Sequence, residues 1–83
     1  MAWNVYEYLN EDRREVFVGL TDKDVGSEFE LARAVPPAPI RHWDFEGERI
    51  RANRYKIGLT RFDAREAVRE YAAQPGWVLR RGL

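Results

Sequence analysis

The sequence contains no cysteine, one histidine and one serine, and these shortages exclude several kinds of site. Without cysteine the chain can form neither a disulfide nor a thiolate zinc site. His42 has no second histidine with which to build a typical metal site, and Ser27 has only His42 as a base for nucleophilic chemistry. The six glycines are scattered, so that they make no phosphate-binding loop.

Long hydrophobic runs are also missing. No apolar stretch approaches the roughly 20 residues that a bilayer-spanning helix needs. Six charged side chains lie within residues 7–15, which is incompatible with the apolar core of a signal peptide. These features predict a cytoplasmic protein that has no membrane partner.

The length of 83 residues predicts a single domain over residues 1–83. Folding at this size buries only about 60% of the surface of the unfolded chain, so nearly every large apolar side chain is expected in the core. The formal net charge is zero, but residues 1–35 hold eight acids against four bases, and residues 36–83 hold ten bases against six acids. The basic half can meet phosphate, or it can lie against the acidic half of the same domain.

Residues 4–21 predict a β-hairpin. Two arms rich in aromatic and β-branched residues, over residues 3–9 and 14–20, flank a polar run of loop length. Both alternating sets of side chains on each arm are largely apolar or aromatic. Because a strand of this kind is covered on both faces, we expect the hairpin to be central in the sheet.

Two helices are predicted from capping boxes, one over residues 28–35 after Ser27 and one over residues 63–74 beginning at Asp63. In the second helix, Phe62 is expected to pack on Ala67 as a hydrophobic staple. Gly58, within the strand before this helix, is expected to mark a bulge or a close approach of the backbone. Further strands are predicted over residues 40–45, 49–52 and 55–59, and residues 77–79 are predicted as a last short strand or a packed tail. The expected fold is α+β: a small mixed or antiparallel sheet, opened by the hairpin, with two helices packed on it.

The hairpin carries the one motif with known chemistry. Asn4-Val5-Tyr6, then ten residues, then Phe17-Val18-Gly19 resembles the paired tripeptides of the GIY-YIG nuclease superfamily in spacing and in hairpin context. In that family the hairpin precedes a helix with a catalytic arginine, another strand, and a helix with a metal-binding glutamate. The resemblance therefore implies a similar arrangement over most of this chain.

The resemblance implies roles for individual residues. Tyr6 matches the proton-relay tyrosine, and Glu66 or Glu70 could supply the carboxylate that binds the metal. Phe17 stands where the second tyrosine is expected and has no hydroxyl. Residues 26–28 lack the expected arginine, for which Arg33 is the nearest substitute, and the family's later asparagine has no counterpart near residues 75–77.

These departures leave two functions open. The first is a non-catalytic binding or interaction module that needs no cofactor. The second is a magnesium-dependent DNA endonuclease with a rearranged site, in which Tyr6, Arg33 and Glu66 or Glu70 act on the phosphodiester. The expected partner is a nucleic acid or a protein, and the oligomeric state stays open.

A third function rests on the basic half alone. Residues 40–59 followed by residues 63–74 look loosely like the integrase-arm type of domain, in which a three-stranded sheet reads DNA and a helix supports it. Arg49 and Arg51 alternate onto one face of such a sheet, where they can reach phosphates or base edges. Pairing of these arginines with Glu46 and Glu48 is the alternative.

Overall fold

The computed structural model describes residues 2–83, which form a four-stranded mixed sheet with one α-helix on each face. The order of the strands in the sheet is β3-β1-β2-β4, and β4 alone runs parallel to its neighbour. This architecture confirms the predicted α+β fold. The elements are β1 (Trp3–Asn10), β2 (Glu15–Thr21), α1 (Val25–Ala34), a 3-10 helix (Ala38–Ile40), β3 (Ile50–Leu59), α2 (Arg61–Glu70) and β4 (Val78–Arg81).

The predicted hairpin is confirmed, and its two strands occupy the centre of the sheet. Its turn is held by the Asn10 side chain, whose Oδ1 accepts hydrogen bonds from the amides of Asp12 and Arg13, each at 3.1 Å. Arg14 completes the turn with a φ of 55° in the left-handed region. This local hydrogen bonding fixes the register in which Tyr6 lies opposite Gly19.

Alternation along β1 and β2 sends apolar side chains to both faces of the sheet. On one face, Tyr6, Tyr8 and Phe17 pack against α1 and against the segment that follows it. On the other face, Val5 and Val18 pack against α2. Because neighbouring residues of a strand point in opposite directions, this arrangement decides which candidate residues can meet.

The first helix begins three residues earlier than the sequence predicted. Its N-cap is Asp24, whose carboxylate accepts from the amide of Ser27 at 2.9 Å and from the Ser27 hydroxyl at 2.6 Å. The expected Ser27 cap was wrong because aspartate caps helices at least as well as serine and stands at the start of the turn. Within the helix Ala32 is buried, whereas Leu31 points outward.

The second helix also begins earlier, after Thr60, whose hydroxyl accepts from the amide of Asp63 at 3.1 Å. Phe62 is 71% exposed, so the predicted staple onto Ala67 was wrong. The helix ends at Glu70 rather than near residue 74. Its last carbonyl groups accept hydrogen bonds from the Arg81 guanidinium, which lies on the neighbouring strand β4.

The strand predicted over residues 40–45 does not form. Ile40 and Trp43 are buried against the α1 face of the sheet by a 3-10 helix and a loop rather than by a strand. The Asp44 carboxylate accepts hydrogen bonds from the backbone amides of Glu46 and Gly47. These amides are therefore satisfied within the loop and need no partner strand. The basic half therefore contains no three-stranded sheet among the described residues.

Residues 49–59, predicted as two strands, contain the single strand β3. It pairs with β1 through two shifts in register, one on each side of Val5. Gly58 lies in the first of these irregular stretches with a φ of +71°, a conformation that favours glycine. The predicted bulge at Gly58 is confirmed.

Candidate functional site

The site implied by the family resemblance is centred on Tyr6 at the middle of β1. Its ring stacks on Tyr8, with the ring centroids 4.6 Å apart, and covers Gly19 on β2. Only 6% of the Tyr6 surface is exposed. Burial raises the pKa of Tyr6 to about 12, and the nearby negative charge of Glu28 acts in the same direction. Ionisation of the hydroxyl is therefore disfavoured even more than in an exposed tyrosine.

Phe17, at the position of the second family tyrosine, is a core residue. It is 1% exposed and lies against Tyr8, with ring centroids 5.8 Å apart, while Gly82 closes over its outer edge. Among the described side chains, the Tyr8 hydroxyl is buried without a hydrogen-bond partner, and burial raises its pKa well above the ordinary range. This part of the sheet holds packed aromatic rings rather than an open catalytic cleft.

Arg33, the nearest substitute for the catalytic arginine, lies in the last turn of α1. Its guanidinium pairs with Glu46 at 3.5 Å on the surface of the loop before β3. Glu28 lies on the same helix, and its negative charge contributes to the raised pKa of Tyr6. A negative charge on α1 thus acts on Tyr6, and it would repel a phosphate placed there.

Glu66 and Glu70 lie on α2, which packs on the opposite face of the sheet from Tyr6. Glu66 forms an ion pair with Arg69 at 3.0 Å one turn later, and Glu70 is exposed at the end of the helix. Across residues 2–83, no group of three or more His, Cys, Asp or Glu side chains is placed to hold a metal ion. The structure therefore does not bring the four predicted catalytic residues together.

Arg49 and Arg51 pair with acids of the hairpin turn rather than with Glu46 and Glu48. The Arg49 guanidinium donates two hydrogen bonds to Asp12, at 3.0 and 3.1 Å, and the Arg49 backbone amide donates a third at 2.7 Å. Arg51 donates one to Glu11 at 3.0 Å. Hydrogen bonds from the backbone and side chain of Arg49 lower the pKa of Asp12. Both arginines remain largely exposed, but their charges are already partnered.

A cavity of about 200 Å³ lies on the α2 face beyond the end of the helix, and it was not predicted from the sequence. Its polar centre is the Glu7 carboxylate on β1, which accepts hydrogen bonds from the Tyr71 hydroxyl and from Asn53 Nδ2. Burial raises the pKa of Tyr71 above its ordinary range, and the hydrogen bond to Glu7 adds to this. The lining residues are Glu7, Leu9, Val16, Arg51, Asn53, Tyr71, Gln74 and Trp77.

One feature of the sequence pointed to this cavity. Glu7 is a charged residue in the middle of a predicted central strand, where both faces are otherwise apolar. A carboxylate at such a position needs polar partners from other elements. The partners themselves could not be found from sequence, because Tyr71 was assigned to a longer helix and Trp77 to a short strand or a packed tail.

Comparison with known proteins adds no relative, since no family model, no curated protein and no solved structure matches the chain. Within residues 2–83, no helix is both long enough and apolar enough to cross a bilayer. What can be inferred about function therefore comes from the geometry of the chain itself.

Proposed function

We propose that this chain is a GIY-YIG-like domain that does not cleave DNA and serves as a binding module. The observation that carries the proposal is the separation of Tyr6 from Glu66 and Glu70 by the thickness of the sheet. A metal-dependent nuclease needs its proton relay and its metal-bound carboxylate on the same phosphodiester. Residues on opposite faces of a sheet cannot meet that requirement without refolding.

The state of Tyr6 supports the same proposal. A proton relay works best when its pKa lies near the working pH, and the pKa of Tyr6 is raised to about 12. Glu28 adds a negative charge beside it, where an arginine would be needed to hold the phosphate. Phe17 also lacks the hydroxyl of the second family tyrosine, and this third difference from the family pattern likewise argues against catalysis.

The order of the elements supports the likeness to the family. A hairpin, a helix, a strand and a second helix follow one another, as the resemblance implies. Gly19 lies opposite Tyr6 and lets its ring approach the backbone. These features concern the scaffold, so they support a shared architecture without supporting shared catalysis.

DNA binding through Arg49 and Arg51 is the weaker alternative. Binding to phosphates would require each arginine to leave a carboxylate that it already contacts. Acids of the hairpin turn would also lie beside the phosphate backbone and repel it. If such binding occurs, its affinity should fall steeply with salt in proportion to the phosphates neutralised.

The experiment is a cleavage assay on supercoiled plasmid and on a short duplex, with and without magnesium. Wild type is compared with Tyr6→Phe and Glu66→Gln, and each variant is first checked for folding by denaturant titration. We expect no magnesium-dependent nicking above the level of Tyr6→Phe. Nicking that requires magnesium and disappears in both variants would overturn the proposal in favour of a rearranged nuclease.

A further inference from the structure

We infer that the cavity beside Glu7 binds the cationic end of a side chain, an ammonium or a guanidinium, presented by a partner protein. The inference deepens the proposed function, because it rests on the chain's being a binding module and names the chemistry of its partner. It starts from the central residue of the cavity. Glu7 lies on the central strand β1, which is rigidly paired on both sides.

The charge around Glu7 favours a cationic ligand. The hydrogen-bond donors to Glu7 are neutral: the Tyr71 hydroxyl, and Asn53 Nδ2 at 3.4 Å. No cation of residues 2–83 forms an ion pair with Glu7. Arg51 lines the same cavity but is bound to Glu11 at 3.0 Å. A half-buried carboxylate has lost part of its hydration, and Glu7 has no counter-charge among the described residues to replace it. A positive group that enters the cavity would supply that missing electrostatic stabilisation.

The walls of the cavity suit a cationic side chain. Tyr71 and Trp77 contribute aromatic rings, and Leu9 and Val16 contribute an apolar floor. Aromatic faces attract cations, and an apolar floor suits the methylene stem that carries an ammonium or guanidinium. The chain already makes contacts of this type elsewhere, with the Arg61 guanidinium 5.4 Å from the ring centre of Trp3.

The size of the cavity limits the ligand that it can hold. At about 200 Å³ the cavity is smaller than the roughly 300–1,000 Å³ of pockets that enclose drug-sized ligands. It therefore suits the end of one side chain better than a cofactor. A nucleotide fits less well, because Arg51 in the lining is already paired with Glu11 and the phosphate would lie near the carboxylate of Glu7, which has no ion-pair partner within the described part of the chain.

The test is an NMR titration of the intact chain with small probes. The cationic probes are N-acetyl-lysine methylamide and N-acetyl-arginine methylamide, and the neutral probe of similar shape is N-acetyl-norleucine methylamide. Spermidine represents a free polyamine and guanosine monophosphate represents a nucleotide. We expect saturable shifts at the amides of Glu7 and Asn53 and at the indole of Trp77 with the cationic amides alone, and these shifts should weaken as salt is added.

Glu7→Gln keeps the size of the side chain and removes its charge, so it should weaken binding of the cationic amides at least tenfold. Glu30→Gln, which changes an exposed glutamate on α1, should leave the affinity unchanged. If Glu7→Gln does not fold, Tyr71→Phe provides a second test. It retains the ring and frees one carboxylate oxygen of Glu7, so binding of the cationic amides should strengthen, and unchanged or weaker binding would count against the inference.

Three further results would overturn the inference: equal shifts from the norleucine probe, unchanged affinity in Glu7→Gln, or tighter binding of guanosine monophosphate than of the cationic amides. Tighter binding of spermidine than of either amide would assign the site to a free polyamine and contradict a protein partner. These readouts need neither DNA nor magnesium. Magnesium-dependent DNA cleavage would therefore contradict the proposed function but not the cation site. A lack of chemical-shift changes in the NMR titration would contradict the cation site but not the proposed function.

Discussion

Tyr6 and Gly19 face each other across the β1–β2 hairpin, and the tyrosine ring occupies the space where a Cβ atom on the glycine would stand. A Cβ built on Gly19 would lie 2.5 Å from the Tyr6 hydroxyl oxygen and 2.7 Å from the ring carbon that bears it. The ring cannot move aside easily, because it stacks on Tyr8 within the core. The glycine is thus required for packing, whether or not the tyrosine has any chemical role.

Gly19→Ala should therefore destabilise the chain by about 1–3 kcal/mol, the usual cost of overpacking a core. Urea denaturation gives the change in the free energy of unfolding. Gly26→Ala is the matched control, since a Cβ there would meet only the Asp24 carboxylate at 3.2 Å, and its effect should be smaller. In a Tyr6→Ala background the cost of Gly19→Ala should largely disappear, and a cost that persists would contradict the packing explanation.

Glu15 joins the start of β2 to the loop after α1 and to β4. Its carboxylate accepts hydrogen bonds from His42, Trp43 and Arg80 at 2.8, 2.9 and 3.2 Å. Burial alone would raise the pKa of Glu15, but these hydrogen bonds outweigh it and hold the pKa below its ordinary value of 4.5. The ionised carboxylate therefore stabilises the folded state.

Glu15→Gln should lower the free energy of unfolding by about 1.5–3 kcal/mol at neutral pH, the range for hydrogen bonds to charged groups. Because the folded-state pKa is depressed, this difference from wild type should be fully present above pH 4.5 and should shrink as the pH falls through the lowered value. Urea denaturation over a pH series measures it. A difference that stays constant or grows in acid would contradict the assignment.

Three of the four tyrosines should resist ionisation in the folded chain. Burial raises the pKa of Tyr6 from 10.0 to about 12 and also raises those of Tyr8 and Tyr71. The folded state then binds these protons more tightly than the unfolded state. The stabilisation is complete below pH 10 and is lost as the pH rises through the folded-state values.

The near-ultraviolet absorbance of tyrosinate measures this titration. We expect a late step coupled to unfolding, and Tyr6→Phe should reduce its amplitude by one tyrosine. Ionisation of all four tyrosines near pH 10 with the fold intact would show that their hydroxyls are accessible. It would also weaken the argument that Tyr6 is too deeply buried to relay a proton.

The first helix should depend more on Asp24 than on Ser27. Asp24→Ala removes the N-cap acceptor, whereas Ser27→Ala removes only a hydroxyl that donates to it. We expect faster amide hydrogen exchange over the first turn of α1 in Asp24→Ala, and a smaller change in Ser27→Ala. The reverse order would support a helix start near residue 28, as the sequence predicted.

The fold was more predictable than the site, and the hairpin shows why. Its strand propensities, its polar turn and its apolar side chains on both faces all favour the same structure, so the central position of β1 and β2 was predicted correctly. The strand prediction for residues 40–45 failed because the alternation of Trp43 and Phe45 is compatible with a strand and equally with a loop that buries both rings. Sequence periodicity does not distinguish these outcomes when the backbone is satisfied locally.

The candidate site was harder to predict because it depends on which face of the sheet each helix covers. The sequence places Tyr6 on a central strand and Glu66 on a helix, but it does not say that α2 packs on the face opposite Tyr6. The cavity beside Glu7 needed the same information. Asn53 and Tyr71 are 46 and 64 residues away in sequence, and only the pairing of β1 with β3 and the early end of α2 bring them to Glu7.

The central claim is that the hairpin and α2 do not share a metal site, and paramagnetic broadening by manganese tests it most directly. Manganese is titrated into isotope-labelled protein, and the amide signals of Gly19 and Glu66 are followed together. If the two faces are separate, no manganese concentration should broaden both signals selectively. Joint, saturable broadening of both signals, lost in Glu66→Gln, would show that the carboxylate and Tyr6 surround one ion and would contradict this account.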